Sequence, residues 1–388
     1  MTEKLFQIDP YLKQTEAEIV EVSEDTLALD RTIFAPEAGG QASDLGTIDG
    51  IDMLHAEEKD GIVYHKMADI PSGFKAGAKV KLELDWETRF DHMQNHCGEH
   101  IISGILFTKY GIGNKGFHLG SEFSTLDADM KQMPQEIVDE VERLANKAVF
   151  SAVPVTVDMI ESKEEAQKLP LRKELKVDED ISIVTIPGID CVACCCPHPS
   201  DTSQVGLIKI IKAENYKGMT RIYFKCGMRA FEDYKLKHDI ITVLNKKYSS
   251  EEHNLIENIK IQDNKNNEMR RDLYAMKSKF ALMEAERLVA DSEKVVSFEY
   301  DDQSLDDLKF MAKKIMEITD LPVILSSTSC MTVLLTHSGK SKLKCGKLVK
   351  EFACGFGGKG GGSDTLAQAL FSDVEIMRNF VKISLMSV

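Results

Sequence analysis

The alternation of apolar and polar positions changes period several times along the chain. Val80, Leu82, Leu84 and Trp86 interleave with Lys79, Lys81, Glu83 and Asp85, the two-residue period of a half-buried strand. Asp49-Gly50 and Asp60-Gly61 separate short alternating runs and read as hairpin turns. Residues 1–90 therefore predict a β-rich, barrel-like subdomain. From about 88 to 110 the pattern turns helical, and QEIVDEVERLANKAVF at 135–150 predicts an amphipathic helix. ISIVTIP, GLIKII and TRIYFKC predict strands, so 91–235 reads as a second, α/β subdomain.

Residues 236–292 differ in kind. Met269, Leu273, Met276, Phe280 and Met283 follow the alternating four- and three-residue spacing of a coiled-coil or helical-hairpin seam. Ser249-Ser250-Glu251-Glu252 fits a capping box, which predicts one helix ending near Lys247 and another starting there. This segment is expected to form a helical arm. In 293–388, LPVILSS and MTVLLTH predict buried strands. GFGGKGGGSD then predicts a glycine-rich turn, and TLAQALFSDVEIMRNFVKI a closing helix. The expected class is α+β, with a barrel-like N-terminal part, an α/β part, the arm and a C-terminal α/β domain.

Composition leaves that picture intact: 43% hydrophobic and 29% charged residues suit a folded chain of 388 residues. MTEKLFQIDPYLKQ has no basic segment followed by an apolar one, and no apolar run approaches the roughly 18 residues of a membrane span. A cytoplasmic location is expected, where clustered cysteines bind metal or do chemistry rather than form disulfides. Charge does change the picture. The net value of −15 argues against a polyanionic partner, yet it is unevenly spread. Residues 1–200 hold 19 Lys+Arg against 37 Asp+Glu, whereas 201–250 hold 10 against 5. Lys340, Lys342, Lys344, Lys347, Lys350 and Lys359 face Glu351 alone in 340–359. Such basic stretches can grip phosphates on a chain that otherwise repels polyanions.

The candidate chemistry lies in two pairs. His96 and His100 in HCGEH share one face of a helix, because positions i and i+4 do. Cys194 and His198 in CVACCCPH repeat the same interval. Together they suit tetrahedral Zn²⁺ with bonds of about 2.0–2.3 Å. Cys191, Cys195 and Cys196 are near enough in sequence to substitute. Cys97, Cys226, Cys330, Cys345 and Cys354 read as small buried hydrophobes. HCGEH also matches the inverted zinc-peptidase pattern, which would make Glu99 a general base and require a downstream carboxylate ligand.

Three motifs resemble the editing half of alanyl-tRNA synthetase and the stand-alone alanyl-tRNA editing proteins of the long AlaX type. They are TIFAPEAGGQASDLGTI at 32–48, the His96/His100 pair, and Cys194/His198 followed by PSDTSQVGLIKI. A fourth, GFGGKGGGSDTLAQA at 355–369, resembles the glycine-rich core of the C-terminal domain that follows such synthetases. Departures occur: Ala35 replaces the family's usual Tyr, Ala38 replaces a glycine, and Cys195-Cys196-Pro197 replaces small residues between two ligands. No DHH motif and no class II ATP site is recognised.

The resemblance implies a trans-editing hydrolase that removes serine, or glycine, from mischarged tRNA(Ala). It casts Thr32 as the reader of the serine hydroxyl and Gln41 as a polar pocket residue. His96, His100, Cys194 and His198 become ligands of one Zn²⁺, with its catalytic or structural role left open. Gly39 and Gly40 would let the backbone approach the tRNA end. Gly357, Gly358, Lys359, Gly360 and Gly361 would hold tRNA by main-chain amides and charge, without forming a Walker A loop. The arm or C-terminal domain could join a homodimer. The alternatives are a tRNA-binding protein without turnover and the peptidase.

Overall fold

The computed structural model describes residues 1–175 and 179–388, with side chains for all of these except Glu179, Asp180 and Cys354. The expectation for the Cys354 thiol thus lies outside the described side chains. The chain divides into two units, Met1–Val243 and Leu244–Val388. Both mix helices and sheets, an α+β architecture.

In the first unit, strand β1 (Glu3–Lys4) and helix α1 (Leu5–Ile8) precede β2 (Gln14–Val22), β3 (Thr26–Leu29) and β4 (Arg31–Thr32). Then come β5 (Gly46–Ile48), β6 (Ile51–Lys59), β7 (Ile62–Met67) and β8 (Lys79–Leu84). Six of these close into a barrel in the order β2-β3-β7-β6-β5-β8, with β8 pairing back onto β2. The alternation noted above sends Val80, Leu82 and Leu84 into the barrel core beside Ile19, Leu27 and Met53. Lys79, Lys81 and Glu83 remain exposed. Asp49-Gly50 and Asp60-Gly61 all take positive φ, as two-residue hairpin loops with right-handed strand twist require.

Helix α2 (Trp86–Tyr110) follows at once, started by the Asp85 side chain accepting the Thr88 N–H and ended by Gly111 at φ 67°. From His92 to Leu106 it is buried all round. It is followed in the chain by β9 (Asn114–Leu119), β10 (Ser124–Ala128), α3 (Gln135–Phe150), β11 (Thr156–Ser162) and α4 (Lys163–Ala166). The unit continues with β12 (Glu179–Ile186), β13 (Asp190–Ala193), β14 (Ile208–Tyr216) and β15 (Met219–Cys226). Two antiparallel sheets result, β14-β15-β10-β9 and β11-β12-β13. Their core gathers Ile101, Ile105, Leu126, Val141, Val184 and Phe224. Cys97 and Cys226 are fully buried there, as small hydrophobes.

Helix α5 (Gly227–Tyr248) carries the chain into the second unit, where α6 (Leu255–Ala290) is the longest helix described. The capping box expected at 249–252 does not form. Ser249 has φ 48°, and the Ser250 N–H returns to the Asn245 carbonyl at 3.0 Å. The serines are therefore taken up in terminating α5, and α6 starts after a short turn with no side-chain cap.

The remainder comprises β16 (Val296–Tyr300), α7 (Leu305–Met316), β17 (Val323–Ser327), β18 (Thr332–Thr336), α8 (Cys345–Leu348), β19 (Lys359–Gly362), β20 (Leu366–Leu370) and α9 (Val374–Met386). A genuine capping box, Ser304 with Asp307, opens α7. Cys345 is buried, whereas Cys330 is only partly so. Two expectations need correction. Within the glycine run, Lys359–Gly362 form an edge strand of the sheet β16-β17-β18-β20-β19 rather than part of a turn, while the residues on either side remain irregular. Residues 366–370 are also a strand, since they pair with both β18 and β19. The closing helix starts only where the Asp373 carboxylate accepts the N–H groups of Glu375 and Ile376.

Candidate metal centre and active site

The segment 35–45 reaches the centre through a buried ion pair. Arg89, on the first turn of α2, and Asp44 are both fully buried and bonded to one another. Arg89 Nε donates to Asp44 Oδ1 at 2.9 Å, and its other nitrogens donate to the carbonyls of Pro10 and Ile33. The loop is thereby clamped to the barrel and to α2. Removing one partner of such a pair costs about 3–5 kcal/mol. Within the loop, Ala38 and Gln41 exchange backbone hydrogen bonds around Gly39 (φ 61°) and Gly40 (φ 84°). Two successive positive φ values make this a type I′ turn, hence the glycine pair. Gly40 has a second constraint: a Cβ there would lie 2.3 Å from the Phe117 carbonyl oxygen. Gly39 instead lines the cavity described below.

That turn delivers Gln41, whose Oε1 accepts from His96 Nδ1 at 2.9 Å. His100 Nδ1 donates to Asp190 Oδ2 at 3.0 Å, and His198 Nδ1 donates to the Cys196 carbonyl at 2.7 Å. Each imidazole is thus held at Nδ1 by an acceptor, which directs the Nε2 lone pair inward. His198 Nε2 is buried with no partner, and His96 Nε2 lies 3.5 Å from Cys194 Sγ. One ligand atom from each of His96, His100, Cys194 and His198 lies within 4.8 Å of the others. The donor set, the fixed tautomers and the orphaned nitrogen all fit a metal ion. The Cys196 thiol beside it holds the Cys194 thiol well below the usual thiol range; burial opposes this, and His96 and His198 reinforce it. A thiolate is the form a metal takes. Among the substitutes considered, Cys191, Cys195 and Cys196 lie outside this set.

Asp190 is shared. Arg172 Nε and Nη2 donate to its two oxygens at 2.7 and 3.0 Å. Glu99 accepts from Ser103 and Asn114. Burial alone would raise its carboxyl, but His100, Arg172 and the Ser103 hydroxyl outweigh this and hold it low. Its engagement, and a ligand set with no carboxylate, remove the basis of the peptidase reading. Asp190, Arg172, Arg89 and Asp44 escaped the sequence analysis; no spacing rule links them, and only Asp44 sits within a motif.

A cavity of about 830 Å³ opens beside the cluster, lined by Gly39, His96, His100, Asn114, Arg172 and Cys194 among others. Thr32 is not brought to it. It is fully buried at the barrel, with Oγ1 2.8 Å from His65 Nε2 and accepting the Phe34 N–H at 3.1 Å. The hydroxyl is engaged by His65 and the Phe34 N–H, and this placement lends no support to the role of hydroxyl reader expected of Thr32. Gln41 likewise acts behind His96 rather than on the cavity wall. In the second unit, Gly360 packs against β20, its would-be Cβ 2.2 Å from the Gln368 carbonyl oxygen, while Gly357 and Gly361 have open space. Gly358 abuts Phe371, and Lys359 is exposed.

These features match a known class. The family described as the threonyl and alanyl tRNA synthetase second additional domain matches residues 181–223, which contain Cys194 and His198. The class II (A) tRNA synthetase family matches residues 4–88, the barrel. The chain is 30% identical to the alanyl-tRNA editing protein AlaX-L of Pyrococcus horikoshii, over 95% of this chain and 94% of that one. It therefore belongs to the alanyl-tRNA editing protein family. It is also 28% identical to the alanine–tRNA ligase of Pyrococcus abyssi, over 98% of this chain but only 44% of the ligase. A Methanococcus maripaludis alanine–tRNA ligase is 34% identical over 62% of this chain and 28% of the ligase. Among the described residues no helix is long and apolar enough to cross a membrane.

Proposed function

We propose that this protein hydrolyses the ester joining serine, and secondarily glycine, to tRNA(Ala), with Zn²⁺ held by His96, His100, Cys194 and His198. Its family makes it an aminoacyl-tRNA deacylase, a carboxylic ester hydrolase acting after aminoacylation. The observation that carries the reading is the convergence of three oriented imidazoles and a thiol, of which His96, His100 and Cys194 line one cavity. When bound, zinc supplies Lewis-acid polarisation or anchors the pocket. The chain's own part is to orient those ligands through Gln41, Asp190 and the Cys196 carbonyl, and to enclose the ester in a cavity of limited size.

Such correction is needed because a pocket shaped for alanine cannot strongly reject a side chain that adds only a hydroxyl. A second site that hydrogen-bonds that hydroxyl can disfavour its absence by ~10⁴–10⁵. Gly39 brings the backbone close to the tRNA end. Gly357, Lys359 and Gly361, with the neighbouring lysines, hold the tRNA body by charge and main-chain amides. The open stripe Met269, Leu273, Met276, Phe280 and Met283 on α6 suits a second copy of the chain. Sedimentation equilibrium showing monomer only would remove the dimer.

The deciding experiment is a deacylation time course on paired Ser- and Ala-charged tRNA(Ala), with and without chelator. The serine ester should disappear much faster, and chelator or Cys194→Ala should abolish the difference. Equal rates on both esters would end the selectivity proposed here.

A further inference from the structure

Metal ligation leaves one charged group of the cavity without a role, the Glu99 carboxylate. It precedes His100 on α2 and lines the cavity, and its side chain keeps 6% exposure although the helix around it is buried. Its two oxygens are treated differently. Ser103 Oγ and Asn114 Nδ2 both donate to Oε1, and Asn114 is itself held through Oδ1, which accepts the Gly116 N–H at 2.8 Å. Arg172 Nη2 approaches that same oxygen, at 3.9 Å, while its fork is turned to Asp190. Among the described residues no donor reaches Oε2, and Oε2 is not sealed from solvent, as His92 Nδ1 and Arg172 Nη1 are. Because α2 is packed on every side here, that opening is the cavity. One carboxylate oxygen is therefore anchored in the protein and the other is open to a ligand.

A carboxylate in a confined, mostly dry cavity calls for a partner of opposite charge. An aminoacyl ester carries one such charge, the α-ammonium beside the scissile carbonyl. The serine hydroxyl is neutral, and leaving it without an anion costs far less than leaving an ammonium so. We propose that Glu99 Oε2 binds the α-ammonium of the aminoacyl ester and thereby restricts the substrate class to esters of amino acids whose amino group is free. This rests on the deacylase reading above. The donors on Oε1 fix the carboxylate before substrate arrives, so the contact forms without reordering the side chain. A peptidyl ester, whose nitrogen is an uncharged amide, would leave Oε2 unpaired and is excluded by the same contact.

The test uses the full chain loaded with zinc and two esters of tRNA(Ala): that of serine, and that of the acid in which a hydroxyl replaces the α-amino group. Each single-turnover rate is divided by the ester's own hydrolysis rate in buffer, which removes the activating effect of the ammonium on the bond itself. Loss of a hydrogen bond between charged groups corresponds to about 10–100-fold. The parent should favour the serine ester by that factor. Glu99→Gln keeps the side-chain length and an oxygen for Ser103. It should slow the serine ester by a like factor, leave the hydroxy ester within about threefold, and hold zinc at the parent stoichiometry.

A parent that treats the two corrected esters alike overturns the proposal, whatever the variant does. Equal slowing of both esters by Glu99→Gln overturns it too, because that marks a general base or a reader of the side-chain hydroxyl. So does a loss that follows zinc content and is reversed by added zinc, which would make Glu99 a support for His100. A parent inactive on every aminoacyl-tRNA overturns the deacylase reading itself, a result distinct from these.

Discussion

Two buried polar residues show how much a single hydrogen bond decides here. Gln41 touches neither the cavity nor an ion position, yet its Oε1 sets which His96 nitrogen carries the proton. Loss of such an orienting contact weakens metal affinity by about 10–100-fold. Gln41→Ala should show that drop in competition with a chromophoric chelator, and an unchanged affinity would contradict the orienting role. His65 carries a different consequence. Burial depresses its imidazole to about 4, although a bond to the Leu27 carbonyl pulls the other way. The folded state keeps it neutral, while the unfolded chain binds a proton below about 6.5. The associated stability is therefore complete above pH 6.5 and is lost as pH falls towards 4, up to about 3 kcal/mol. Urea midpoints should decline over that window in the parent and less steeply in His65→Gln. Parallel slopes would refute the assignment.

At the scale of elements, the legible features were those that local periodicity encodes. The strand at Lys79–Leu84, the helix at Gln135–Phe150 and the two Asp-Gly hairpins could be read because each pattern repeats within a few residues. The glycine run could not. Gly360 and Gly362 carry no side chain to alternate, and their strand character comes entirely from pairing with β20. Glycine was required there by close approach. Gly360→Val should part β19 from β20 and cost about 1–3 kcal/mol, the range for overpacking. Gly361→Ala, with nothing within 4 Å of its Cβ, should stay within about 0.5 kcal/mol. Chemical denaturation of both variants checks the contrast, and equal losses would show that β19 is not packed as described. The capping box at 249–252 failed for a related reason: two helix ends competed for the same serines, and the preceding helix took them.

For the whole molecule, charge distribution matters more than its sum of −15. Lys340 is paired with Asp320, Lys344 with Asp364 and Lys347 with Glu351, all at the surface. Exposed pairs of this kind contribute little and yield readily to a phosphate. Should four lysines of 340–359 contact phosphates, tRNA affinity falls about 10²-fold between 50 and 200 mM salt. Replacing Lys342 and Lys350 by Glu should flatten the log–log slope. A slope unchanged by that pair would place the tRNA elsewhere.

The order of the ligand pairs, the chain's α+β character and its kinship with editing proteins were all set by residues close in sequence. Those signals survive in one dimension because helical and strand periods, turn chemistry and ligand spacing are local. What tertiary structure alone decided is which groups face one another over long separations. Gln41 meets His96, Asp190 meets both His100 and Arg172, and the Thr32 hydroxyl is taken by His65 instead of facing the cavity. A buried donor or acceptor must find whichever partner the packed chain brings within about 3 Å. No spacing in the sequence names that partner, because folding and not the local chain supplies the neighbour.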